Sequence, residues 1–207
     1  MLNLVPQTIP ALKPIPVAIW ADLKPYQRVT ISERREWVVT ALTKVLEVLE
    51  AVPNSEFDLT IWHGKSHEKG KSCNTVGCAM GWSATIPWFR DRGFFLGDKG
   101  GIEFEMREGF KALYLFFKLE NFYHTLMLEQ LFSAMYYVVD TRDRVAKNRV
   151  QSRIKKFIAA IVRGTPLTEK QGLAMLNHNL VSKQYTGNFC KGFNEAFVCG
   201  GGEVYDY

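Results

Sequence analysis

No stretch of this 207-residue chain stays apolar long enough to cross a bilayer. A spanning helix needs about 20 consecutive apolar residues. The most apolar run, "WVVTALTKVLEVLEAV", is broken by Lys44, Glu47 and Glu50. The N-terminal "MLNLVPQTIPALKPIPVAIW" lacks a basic leading region and is interrupted by Pro6, Pro10, Pro14 and Pro16, so it does not read as a signal peptide. A cytoplasmic protein is the expectation. Repeats and low-complexity tracts are also missing, so neither a repeat array nor a compositional linker is expected. Cysteine is scarce, with four residues in the whole chain. Without an export signal, that usage predicts reduced thiols rather than a disulfide framework.

What is present fits one domain with its own core. The chain is 47% hydrophobic and 23% charged, an ordinary globular balance. Its net charge of +5 and pI near 9.0 favour an acidic partner, either nucleic acid or an acidic protein surface. No membrane partner and no cofactor are expected.

Residues 1–28 read as an extended, proline-rich arm, since Pro6, Pro10, Pro14, Pro16 and Pro25 forbid a regular helix. A helix is predicted over 32–51. Thr30 with Glu33 forms a capping box, and Val38, Leu42, Val45, Leu49 and Val52 make one apolar face. "FDLTIW" suggests a short strand. Asn74 or Thr75 is expected to cap a helix carrying "VGCAMGWSATI" and stopping at Pro87. "GFFLGDKGGIEFEM", over 93–106, reads as a β-hairpin with Ile102, Phe104 and Met106 on its apolar side and "GDKGG" as its turn. A lone hairpin is marginal, so it must pack on helices or pair with a further strand.

Further helices are expected at 108–118, 121–134 and 141–163, the last capped by Asp140 or Thr141. Its inward positions are Val145, Val150, Ile154, Phe157, Ile158 and Ile161. Thr168 with Gln171 opens a short helix to Leu176. Residues 181–207 read as an irregular tail with a Gly200–Gly202 hinge. The fold class is therefore mainly α with a small β-hairpin, as a single compact helical domain over 29–180.

The segment "WHGKSHEKGKSCNTVGCAMGW" concentrates the chemistry. It is not a phosphate loop. That motif needs four residues between its glycines, and Gly64 and Gly70 are separated by five. His63, His67, Cys73 and Cys78 are the candidate metal ligands. Their types suit zinc, but their spacings miss the usual modules, and a second set would join Cys73 and Cys78 to Cys190 and Cys199. Cys78 is the candidate nucleophile, because a helix N-terminus lowers a thiol pKa. His124 or His178 would serve as its base, with Asn179 to orient. A framework role needs no unseen partner. Gly77 and Gly81, with Ala84 a turn on, would notch one helix face for close packing, covered by Trp82 and Trp88.

The stretch 57–82 resembles a pattern of uncharacterised phage and prophage proteins. These carry an aromatic–Trp segment, then Cys-Gly-Thr-x-x-Cys-x-x-Gly followed by Trp or His. The matching residues are Phe57, Trp62, Cys73, Asn74, Thr75, Cys78, Gly81 and Trp82, with "QLFSA" and "SRIKKFI" fitting later elements. Asn74 stands where Gly is usual, and the basic loop before Cys73 is longer. The resemblance implies a phage-type accessory protein that binds a host macromolecule, host defence factors included, and it implies no chemistry.

Residues 142–156 hold Arg142, Arg144, Lys147, Arg149, Arg153, Lys155 and Lys156 against the single acid Asp143. With Lys65, Lys69 and Lys71 of the basic loop, Arg142, Arg149, Arg153 and Lys156 are the candidate contacts to phosphates or to an acidic protein surface. "FYHTLMLEQLFSAMYY" is expected to be core. Three functions follow: non-enzymatic binding of a host macromolecule, a cysteine-dependent hydrolase using Cys78, and a zinc-stabilised nucleic-acid-binding module.

Overall fold

The computed structural model describes residues 30–61, 63–65, 75–119, 121–133, 144–176 and 183–198. The arm 1–28 lies outside them, as do His67, Lys69, Lys71, Cys73, Asn74, Asp140, Thr141, Arg142, His178, Asn179, Cys199 and the glycine hinge. The expected mainly α domain with a small antiparallel sheet is what forms. No described helix is long and apolar enough to cross a membrane.

Helix α1, Ile31–Ala51, is the central element. Its capping box is made: Glu33 N donates to Thr30 Oγ1 at 3.2 Å, and Thr30 N donates to Glu33 Oε2 at 2.8 Å. Its apolar face buries Trp37, Val38, Ala41, Leu42, Val45 and Leu49. A long helix α6, Arg144–Arg163, packs along it. Helix α5, Phe122–Phe132, lies mainly on α8, Lys183–Phe197. Between α6 and α8 sits α7, Glu169–Leu176, opened by the second capping box of Thr168 and Gln171.

The hairpin pairs β3, Phe95–Leu96, with β4, Ile102–Phe104, and a third strand β5, Arg107–Glu108, joins its other side. Helix α4, Phe110–Phe117, then covers the buried face of β4. The "GDKGG" turn closes through Gly97 N donating to Gly101 O at 2.8 Å, with Gly100 in the left-handed region at φ 77°. That conformation favours glycine.

Three readings need correction. The segment expected to be an irregular tail contains α8. Phe189, Phe193, Ala196 and Phe197 recur along it at helical spacing and are buried. The glycines and polar residues between them disguised the period. Met106 is not on the hairpin's apolar side but 99% exposed. Glu105 and Met106 form the β4–β5 turn with φ 47° and 60°, the handedness that a two-residue hairpin turn requires. The described part of "FDLTIW", residues 57–61, forms an isolated bridge, Phe57 to Gly77, rather than a strand.

Two aromatic clusters fill the core. Phe116 is ringed by Trp37, Phe89, Phe94, Phe104 and Phe117 at 4.7–5.5 Å. Phe157 on α6 meets Phe189, Phe193 and Phe197 of α8 at 5.5–6.0 Å.

Candidate functional site

The segment around Cys78 is built differently from the expected capped helix. Thr75–Gly77 is a strand, β2, paired antiparallel with β1, His63–Lys65. Gly77 therefore lies in a strand, and the helix α2, Ala79–Ser83, starts only after it. Cys78 itself is the N-cap, its Sγ accepting from Gly81 N at 3.4 Å. The chain before β1 is laced to this turn. Asp58 N donates to Gly77 O at 3.0 Å, and Cys78 N donates to Ile61 O at 2.7 Å. Trp82 closes the unit by donating from Nε1 to Glu56 O at 3.0 Å. The ribbon was hidden from sequence reading because its strands lie far apart in a polar stretch of sequence and carry no alternation.

This geometry sets the chemistry of the thiol. Cys78 is 4% exposed. Burial pushes its pKa up to about 11, against the pull of the Gly81 and Met80 amides, and the Asp58 carboxylate pushes it the same way as burial. A helix start lowers a thiol pKa where water can help to solvate the thiolate; here desolvation wins. The thiol is neutral at physiological pH and acts as a small apolar side chain that caps α2.

His178 lies outside the described residues, and among those described no hydrogen bond joins His63 or His124 to the thiol. His63 places its ring edge-on against Trp82, with centroids 4.8 Å apart, and burial lowers its pKa. His124 lies in the first turn of α5, 7% exposed. Its pKa is lowered to about 4 by burial and then by the charge of Arg34. The neutral imidazole leaves Nε2 buried without a hydrogen-bond partner, as is Arg34 Nε. Cys190, in the second metal set, is buried on α8 with its Sγ 3.4 Å from Thr168 O. Among the described residues no three His, Cys, Asp or Glu side chains converge on a common point.

The basic helix also differs from expectation. Arg153 is 3% and Lys147 8% exposed. Neither is a surface cation. Arg153 Nη1 donates to Gln130 O at 2.9 Å, in the last turn of α5. Lys147 Nζ donates to Val52 O at 2.6 Å, at the end of α1. Lys156 Nζ reaches Ala174 O at 2.9 Å, in the last turn of α7, while staying exposed. Helix α1 returns the device. Arg35 Nη2 donates to Ile161 O at 2.8 Å near the end of α6, and Arg34 Nη1 to Ala196 O at 3.2 Å near the end of α8. Trp37 Nε1 does the same for α4 at Phe116 O, 2.6 Å. Each of the longer helices thus has an unpaired terminal carbonyl satisfied by a neighbour's donor, mostly a cation lying at the negative end of the dipole.

Among the described side chains, the cations on the outer face of α6 are exposed Lys155, Lys156 and Arg163 and half-buried Arg149, with exposed Asn148, Ser152, Ala159 and Val162 among them. Arg163 was not among the expected contacts, although the 3.6-residue period from Arg149 through Lys156 reaches it. Lys155 makes one ion pair, 3.8 Å to Glu50, between two exposed side chains. Such a pair is worth about 0–1 kcal/mol. Lys65 lies in β1.

A second feature was not anticipated at all. An open groove of about 620 Å³ runs beside β3, lined by Ala84, Pro87, Arg90, Asp91, Phe95 and Leu96 among others. Helix α3, Pro87–Arg90, forms its other wall. In comparisons with known proteins, the chain matches no family model, no curated protein and no solved structure.

Proposed function

We propose that the protein is a non-enzymatic accessory protein of the phage type, which acts in the host cytoplasm by binding an acidic surface of a host macromolecule. The observation that carries this reading is the outer face of α6. The helix has no Asp or Glu in its 20 residues, and exposed Lys155, Lys156 and Arg163 lie on its outer face with half-buried Arg149 at the margin. A helix face that carries cations and no acid suits phosphates or clustered carboxylates. Factors of host defence are the partners that the phage resemblance suggests.

The test is the combined charge reversal Arg149→Glu, Lys156→Glu and Arg163→Glu. Lys156 also meets Ala174 O, so matching melting curves are required to show that the variant keeps the fold. The variant is expected to leave a heparin column at lower salt than the native protein. It is also expected to lose its partner in an affinity purification from host cells. Nuclease treatment of the lysate separates the two partner classes. For a nucleic acid, the salt slope of binding falls by about one per phosphate-contacting cation removed. Unchanged elution and unchanged partner recovery would remove the α6 face from consideration.

A further inference from the structure

The three-stranded sheet treats its two edges differently. At one edge β5 presents Arg107 and Glu108, both exposed and charged, a common way to discourage further pairing. At the other edge β3 presents Phe95, 41% exposed, and half-buried Leu96. β3 is the terminal strand of its sheet among the described residues.

The ladder shows what this edge offers. Phe95 pairs with Glu103 and Leu96 with Ile102, and the next pair, Gly97 with Gly101, is hydrogen-bonded. Hydrogen-bonded and non-bonded pairs alternate along an antiparallel ladder. Leu96–Ile102 is therefore a non-bonded pair, so Leu96 turns its own N–H and C=O away from β4, toward the open edge. The groove lies along that edge, with Ala84 and Pro87 as apolar lining beside Phe95 and Leu96. Its charged lining is Arg90 and Asp91. The Asp91 carboxylate acts on the neighbouring Arg92, which is itself held over the Trp88 ring at 4.1 Å. Arg90 is exposed. Glu103 lies folded over Gly97, outside the groove lining.

We propose that the β3 edge and its groove form a peptide-docking site, at which an extended segment of a partner protein adds as a fourth strand. The segment pairs with Leu96, seats an apolar side chain between Phe95 and Pro87, and sets an acidic residue against Arg90. Strand addition takes its affinity from main-chain bonds and its selectivity from pockets for alternate side chains. This site is separate from the cationic face of α6 and does not depend on it.

The test selects a displayed library of random peptides on the intact protein, then measures the selected sequences as synthetic peptides. Expected winners alternate apolar and polar residues and carry an acid. Phe95→Lys is expected to weaken them by about tenfold or more, the scale of losing one central anchor. Arg90→Glu is expected to turn the preference from acidic to basic peptides. N-methylation should abolish binding at one backbone position and spare the next, the signature of strand pairing. Both side chains are exposed, and matching melting curves will show that the variants keep the fold.

The proposal is overturned if no peptide is enriched, or if winners ignore both substitutions. It is equally overturned if sedimentation shows a dimer that Phe95→Lys dissolves, since a second copy would then hold the edge. It also fails if a selected peptide cannot bind until the chain's own residues 199–207 are cut away. The α6 charge reversals should leave peptide binding unchanged, so either surface can fail alone.

Discussion

At the scale of single residues, environment overrides type. His124 and Cys78 are the residue types of a catalytic pair, but burial raises the pKa of the thiol and lowers that of the imidazole, so neither is activated. The lowered imidazole carries a pH dependence. The imidazole titrates near its ordinary 6.5 when unfolded and at about 4 in the fold. Between those values the unfolded chain binds the extra proton, so stability falls as pH drops through the window, by about 3 kcal/mol at most. His124→Leu should flatten that part of the curve. Urea midpoints at pH 7 and pH 5 measure it as the difference between native and variant, and equal slopes would count against it. Met106 gives a second case. A fully exposed side chain gains nothing from packing, yet it holds φ 60° in a two-residue turn. Met106→Gly relieves that conformation and should stabilise by about 1 kcal/mol, or about 2–4 °C in Tm. The turn's location was misread by its position in an alternating run: Ile102 and Phe104 fit the pattern, and Met106 continues it by coincidence.

At the scale of elements, legibility followed locality. The two capping boxes, the apolar faces of α1 and α6, and the glycine-rich turn could all be read, because each is decided within a few neighbouring residues. The β1–β2 ribbon could not, since its strands are distant in sequence and are held by the lacing of 57–61 to Gly77 and Cys78. The inward turn of Lys147 and Arg153 was likewise invisible, although both lie on the buried arc of α6 if its period is followed strictly. Helix α8 lies between these cases. Its two glycines lower its intrinsic propensity by about 1 kcal/mol each relative to Ala, but they do different things. A Cβ on Gly192 would run into the Tyr123 carbonyl, whereas one on Gly187 meets only Glu169 Oε1 at 3.6 Å. Gly192 is what lets α5 settle on α8. Gly192→Ala should therefore destabilise by about 1–3 kcal/mol, the usual penalty for overpacking. Gly187→Ala should stabilise by about 0.5–1 kcal/mol through the unfolded chain and the helix. Thermal melts of the pair decide the point, and the same sign for both would refute the assignment.

At the scale of the whole molecule, much of the positive charge is structural. Arg34, Arg35, Lys147 and Arg153 bind helix-end carbonyls, so a pI near 9.0 overstates what faces a partner. The same network makes the chain's end indispensable. Phe189, Phe193 and Phe197 are fully buried, and Asn194 holds both the amide and the carbonyl of Leu167, at 2.7 and 3.1 Å. Arg34 ties α8 to the start of α1. Each buried Phe lost typically costs about 3–5 kcal/mol, and a domain of this kind has about 5–15 kcal/mol in total. Three such losses, with Phe157 and the α5 face laid open to water, exceed or exhaust that margin. Ending the chain at residue 182 should therefore abolish cooperative unfolding: a thermal scan would show no transition, and the near-ultraviolet dichroism of the packed aromatics would disappear. A truncated chain that still melts cooperatively near the native temperature would show that α1, α5 and α6 form a core of their own and that α8 is only laid upon it.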